Sequence, residues 1–153
     1  MCVSFACVVT MLFAGFTAAY LIRRAGADWT PIALPSLLWA NTLVLLASSA
    51  TAEAACRLSS KVWLPATMAL GLLFLLGQVG AWNQLARQGI YLPTNPHAAF
   101  VYVLTAAHGL HLIGGTIALG WSAFRAEALR TVANYWHFMG FVWLYVLLVL
   151  GTL

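Results

Sequence analysis

Charge is what this sequence has least of. Of 153 residues, three are acidic and seven basic, so 7% are charged, where a soluble domain carries about 25%. Ten formal charges cannot solvate the surface of a globule this size, and 63% of the residues are hydrophobic. A soluble domain is excluded, and so is a disordered chain, which needs low hydrophobicity and high charge. Nucleic-acid binding is excluded as well. The basic residues Arg23, Arg24, Arg57, Lys61, Arg87, Arg125 and Arg130 are spread over short linkers, and no cluster among them could track a phosphate backbone. Cysteine is scarce too. Cys2, Cys7 and Cys56 are odd in number and form no CxxC, so neither a disulfide framework nor a zinc site follows. No basic segment precedes the apolar N-terminus, which argues against a cleaved signal peptide. A phosphate loop, a paired-carboxylate site and a nucleophile–base arrangement are all missing.

What is present is apolar length. Five stretches, at about 3–22, 37–55, 62–85, 98–121 and 132–153, approach the roughly 20 residues that a bilayer-crossing helix needs. The linkers are short, so residues 1–153 read as one transmembrane domain. The predicted fold is all-α, a polytopic membrane protein with five spans and successive helices antiparallel. Pro31 and Pro35 sit just ahead of the second span, where proline is tolerated. Tyr91-Leu92-Pro93-Thr94-Asn95-Pro96 makes a rigid turn before the fourth. Trp29, Trp63, Trp82, Tyr91, Trp121, Tyr135 and Trp136 flank span ends and read as an aromatic belt at headgroup level. Trp39, Tyr102, Trp143 and Tyr145 lie deeper and read as packing residues. The second and fourth linkers hold Arg57, Lys61, Arg125 and Arg130, against Arg23, Arg24 and Arg87 on the other side. That positive bias places the N-terminus in the cytoplasm.

Polar groups in hydrocarbon are costly and are functional candidates by default. The second span carries Asn41, Thr42, Ser48, Ser49, Thr51 and Glu53. Glu53 precedes Arg57 by four residues, the favourable order for a helix ion pair, and the two read as a structural pair. The fourth span contains His108-Gly109-Leu110-His111, and the fifth opens on Tyr135-Trp136-His137-Phe138. Three membrane histidines raise the question of haem or metal ligation. Ligating histidines usually lean on a neighbouring carboxylate, and neither span has an acid, so neutral histidines hydrogen-bonding between helices fit better. Glycines of the third and fourth spans (Gly71, Gly77, Gly80, Gly109, Gly114, Gly115, Gly120) mark close helix approach. On the residues alone two functions stay open, an accessory subunit of a membrane complex and a small haem-bearing electron carrier.

Four blocks, in order, resemble subunit III of the haem-copper oxidases, the family that includes cytochrome c oxidase. They are Met11-Leu12-Phe13-Ala14-Gly15 with Ala19-Tyr20; Asn41-Thr42 through Ser48-Ser49; Asn95-Pro96-His97 through Phe100-Val101-Tyr102-Val103-Leu104-Thr105, His108-Gly109-Leu110-His111 and Gly114-Gly115; and Tyr135-Trp136-His137-Phe138-Met139-Gly140 with Trp143-Leu144-Tyr145. The chain is similar to the five-helix core of that family, without the two further N-terminal helices of its seven-helix members. One departure is plain: the membrane glutamate that the family commonly carries ahead of the Met-Leu-Phe block falls on Val9.

The resemblance implies a non-catalytic subunit of a bacterial inner-membrane oxidase. It would pack against catalytic subunit I, stabilise it and support proton uptake while oxygen is reduced to water. It implies no cofactor in this chain, haem and copper in the catalytic partner, and bound phospholipid. The lipid contacts it points to are Arg125, Trp136, His137 and His111, with Arg125 alternatively a topology charge paired with Glu127. His108, Glu53 and Arg57 would belong to a helix-packing polar network. A subunit III-like accessory protein of a nitric oxide reductase is the alternative parent, with the haem-bearing carrier behind it.

Overall fold

The computed structural model describes residues 2–58, 62–124 and 126–152. They form five helices, α1 (Cys2–Arg24), α2 (Ser36–Arg57), α3 (Trp63–Arg87), α4 (Pro96–Ser122) and α5 (Ala126–Thr152), and no strand is found among them. Four of the helices are long and apolar enough to cross a membrane. The other, α2, has 22 residues, which at 1.5 Å per residue is also enough for a hydrocarbon core of about 30 Å. It is less apolar because of its hydroxyl and amide side chains, and it buries Asn41, Thr42 and Ser48 inside the bundle.

The helix ends follow local chemistry. At the start of α4 the Asn95 side chain accepts from the Ala98 N–H at 2.8 Å. Pro96 occupies the first turn, where its missing N–H costs nothing. After α3, Gly89 adopts φ 74°, the Ile90 N–H reaches back to the Leu85 carbonyl and the Gly89 N–H to that of Ala86, both at 3.0 Å. This is the left-handed glycine stop that satisfies the last carbonyls. Two helices begin more than one residue ahead of the apolar runs. α4 gains Pro96 and His97 from its cap. α5 starts at Ala126 and not near 132, because Ala126-Glu127-Ala128-Leu129-Arg130 are good helix formers whatever their hydropathy.

α2, α3, α4 and α5 close into a ring, each packing on its two neighbours, while α1 lies outside the ring against α4 and α5. Paired contacts set antiparallel registers. Trp82 meets Thr105 and Met68 meets Gly120 between α3 and α4; Trp136 meets Ser48 and Trp143 meets Thr42 between α5 and α2. One end of the bundle therefore holds the end of α2, the start of α3, the end of α4 and the start of α5, and the other holds linkers 25–35 and 88–95. These are called here the near and far ends. One apolar cluster fills the ring, including Leu45, Phe74, Leu112, Trp136 and Trp143. A second joins α1 to its seat through Val9, Phe13, Tyr20, Leu104, Met139 and Val146. Val9, where the resembled family carries its glutamate, is 1% exposed and faces only this apolar seam.

Candidate functional site

The polar residues of the spans fall into three places, the ring interior, the near end and the far end. Inside the ring, two tryptophans of α5 each bridge to α2. Trp136 Nε1 donates to Ser48 Oγ at 3.1 Å, and Ser48 donates onward to the Thr67 carbonyl of α3 at 3.1 Å. Trp143 Nε1 donates to Thr42 Oγ1 at 3.1 Å, and Thr42 to the Leu38 carbonyl at 3.0 Å. Trp136 can cross the ring because glycines clear its path. A β-carbon at Gly71 would stand 2.9 Å from Trp136 Cη2, and one at Gly115 would stand 3.4 Å from Cζ3. In hydrocarbon such indole–hydroxyl bonds replace the water that a soluble protein would use.

His108 has no exposed surface. Its ring packs on Phe74 at 5.6 Å and Trp143 at 5.0 Å between centroids. Neither ring nitrogen has a hydrogen-bond partner among the described residues. The expected interhelical hydrogen bond is therefore not seen at this histidine, because its neighbours across the helix interface are aromatic rings. His111, one turn on, points elsewhere. It lies against Phe13 of α1 at 6.0 Å, and its Nδ1 is 2.6 Å from the Ala107 carbonyl of its own helix.

At the near end Glu53 gathers three groups. Arg57 Nε lies 2.6 Å from its Oε1, His137 Nε2 lies 3.2 Å from its Oε2, and Arg130 Nη1 lies 3.9 Å from Oε1. Glu53 and Arg57 thus form their pair, and α5 adds two partners. Arg130 was not singled out on the sequence; its signal would have been the run of α5 back to Ala126. Arg125 and the Glu127 side chain lie outside the described residues.

The described residues put forward for lipid contact go to different places. His137 joins Glu53, and His111 faces α1. Trp136 is corrected: its side chain is wholly enclosed within the ring, so it offers no surface to a headgroup. The reason is the face of α5 that it occupies, which turns it onto Ser48, Gly71 and Gly115 inside the ring. Sequence reasoning also passed over Gln78, and gave His97 no role beyond its place in a family block; both are buried. Gln78 shares the 3–4 spacing of Gly71, Phe74 and Ala81, the face that α3 buries, and that periodicity was its available signal. Among the described residues no group of three His, Cys, Asp or Glu side chains could hold a metal ion.

A closed helical ring with indole–hydroxyl bonds inside, an ion cluster at one end and an apolar exterior defines an integral membrane subunit. No protein-family model matches the chain. It is 35% identical over 156 residues to the probable cytochrome c oxidase subunit 3 of Mycobacterium tuberculosis, covering 88% of this chain and 77% of that protein. It is 30% identical over 159 residues to the cytochrome c oxidase subunit 3 of Corynebacterium diphtheriae, with the same coverage. The corresponding protein of Synechocystis is 30% identical over 156 residues, covering 87% of this chain and 66% of its own length. The chain belongs to the cytochrome c oxidase subunit 3 family.

Proposed function

We propose that this chain is the third subunit of a bacterial haem-copper oxidase of the inner membrane, packing against the catalytic subunit, stabilising it and supporting proton uptake. Its N-terminus is cytoplasmic in this reading. The observation that supports it is family membership over 88% of the chain. In this reading haem and copper belong to the catalytic partner, and this chain contributes packing surface. α1 suits that task. Its inner face seats on α4 and α5, while Val8, Met11, Leu12 and Ile22 stay exposed as a continuous apolar outer face for lipid or another subunit. The test is copurification. A tagged chain should bring down a catalytic subunit with haem and copper in fixed stoichiometry, and membranes lacking the chain should yield an oxidase that loses activity faster during turnover. Recovery of a nitric oxide reductase instead would move the chain to that complex.

At the near end we place a phospholipid headgroup on Arg125, with His137 and His111 behind it. Arginine binds a phosphate bidentately, and His137 is already part of the near-end ion cluster. Arg125→Ala should lower tightly bound phospholipid in the purified complex and leave the haem spectrum unchanged. Unaltered lipid content by mass spectrometry would refute the assignment.

A further inference from the structure

The middle of the ring holds two buried polar side chains left unserved. Gln78 of α3 is 2% exposed and His108 of α4 is 0% exposed. Gln78 Oε1 and Nε2 and both ring nitrogens of His108 have no hydrogen-bond partner among the described residues. Buried polar atoms are as a rule paired, and hydrocarbon around a bundle offers nothing to replace a missing partner.

The two side chains lie across one interface. Phe74 packs on His108 at 5.6 Å between ring centroids, and Trp82 Nε1 donates to Thr105 Oγ1 at 3.0 Å. Gln78 stands four residues from Phe74 and four from Trp82, so it lies between them along α3. Thr105 and His108 are three residues apart on α4. Gln78 is therefore set against α4 between Thr105 and His108.

The other polar groups at this level are engaged. Thr105 accepts from Trp82 and donates to the Val101 carbonyl at 2.6 Å. Asn41 donates to the Phe74 carbonyl at 3.1 Å. Trp143 donates to Thr42, and Thr42 to Leu38. An amide and an imidazole are complementary, yet Gln78 and His108 do not bond to each other. Polar groups that face one another beyond hydrogen-bond reach are commonly joined by water.

Other ligands fit less well. A lipid headgroup or a side chain of another subunit cannot reach atoms sealed inside four helices. A metal ion would find one histidine and a neutral amide, and among the described residues no three His, Cys, Asp or Glu side chains converge. A water donates and accepts at once, so it serves either end of the amide and the imidazole in either neutral tautomer. It needs only about 10–15 Å³ of space.

We propose that the ring encloses a water-binding site between α3 and α4, where one water bridges the Gln78 side-chain amide to the His108 imidazole. The site depends neither on which parent complex holds the chain nor on the near-end headgroup.

The first test is cryo-EM of the complex that retains this chain, at a resolution that shows ordered water elsewhere in the map. A density peak should stand about 2.7–3.2 Å from Gln78 and from one His108 nitrogen. The second is X-ray radiolysis of the same complex, which forms hydroxyl radicals from bound water where it sits. Mass spectrometry then reads the oxygen added to side chains. Phe74 and Trp143 are unexposed and both pack on His108, so both should take up oxygen in the wild type. The double variant Gln78→Met with His108→Phe roughly keeps the volume and removes all four polar atoms; both labels should be lost. Trp136, equally buried and seven residues from Trp143 along α5, should stay unlabelled throughout. A map with no peak there would overturn the proposal, and so would a direct Gln78–His108 hydrogen bond. Phe74 and Trp143 unlabelled in the wild type, or still labelled in the double variant, would overturn it as well. Equal labelling of Trp136 and Trp143 would replace a discrete site with general entry of solvent. The map requires no substitution, so it decides the matter even if the double variant fails to fold.

Discussion

Trp136→Ala should cost the bundle about 3–5 kcal/mol, the upper range for emptying a buried aromatic site. The ring has no exposed surface, and its indole touches all four helices of the ring: Ser48 of α2, Gly71 of α3 and Gly115 of α4, from its own place on α5. Helix association in lipid gains nothing from the hydrophobic effect, since acyl chains are as apolar as leucine. The loss is therefore one of van der Waals contact, and glycines cannot collapse into the space because they have no side chain to move. Ser48 is not orphaned, as it still donates to the Thr67 carbonyl, so the damage is packing and not polarity. Unfolding in bicelles with increasing SDS measures it. Trp136→Phe should recover more than half of the loss. A cost below about 1 kcal/mol, in the range of volume-conserving core changes, would show that the four-helix contact is not what holds the ring.

Gly77→Ala should destabilise, against the usual sign. In a free helix alanine is better than glycine by about 0.8–1.0 kcal/mol. At Gly77 a β-carbon would land on the side-chain amide of Asn41. That amide is buried and donates to the Phe74 carbonyl at 3.1 Å, and its side chain is too short to swing clear. Either the hydrogen bond breaks or α2 and α3 part. Overpacking of this kind costs about 1–3 kcal/mol. Gly114→Ala is the internal control: nothing stands within 4 Å of its β-carbon position, so the same exchange there should be neutral or stabilising. The double variant Gly77→Ala with Asn41→Ala should be less damaged than the sum of the singles, because the clash is between those two side chains. Strict additivity would sink the explanation.

The ring and its appended helix were only half legible in the sequence. Helix number and order follow from apolar runs, which report what the bilayer requires. Helix starts are set by something else. Residues 126–131 are charged or polar enough to fail a hydropathy window, yet nothing in them breaks a helix, so α5 extends through them. Hydropathy is equally silent on helix face, and the face decides the meaning of Trp136. On an outer face at the mouth of a span a tryptophan is an interfacial anchor; on the face of α5 that turns into the ring, it is a core residue. Glu53 with Arg57 was readable because a four-residue spacing is local. His137 and Arg130 joining them was not, since that contact depends on which face of α5 meets α2, and a helix apolar nearly all round gives no such direction. His108 was expected to bond across an interface, but which neighbour it meets depends on register, and the register brought Phe74 and Trp143. Gln78 disappeared into an apolar window for the same reason.

The place of α1 outside a closed ring bears on biogenesis. α1 precedes the ring in the chain, but the surface it rests on is made by α4 and α5. As the chain emerges from the ribosome, α1 enters the bilayer before either of those helices has been made. Its seat is complete only after the synthesis of four further spans, and until then Phe13 and Tyr20 face lipid and not protein. α2 and α3, joined by a short linker and packed side by side, can pair as soon as both are inserted. Of these five helices, the first made is therefore the last to be seated. The seam around Val9, which is apolar throughout, suits that delay, because a helix waiting in hydrocarbon with no carboxyl on its docking face has nothing to hide.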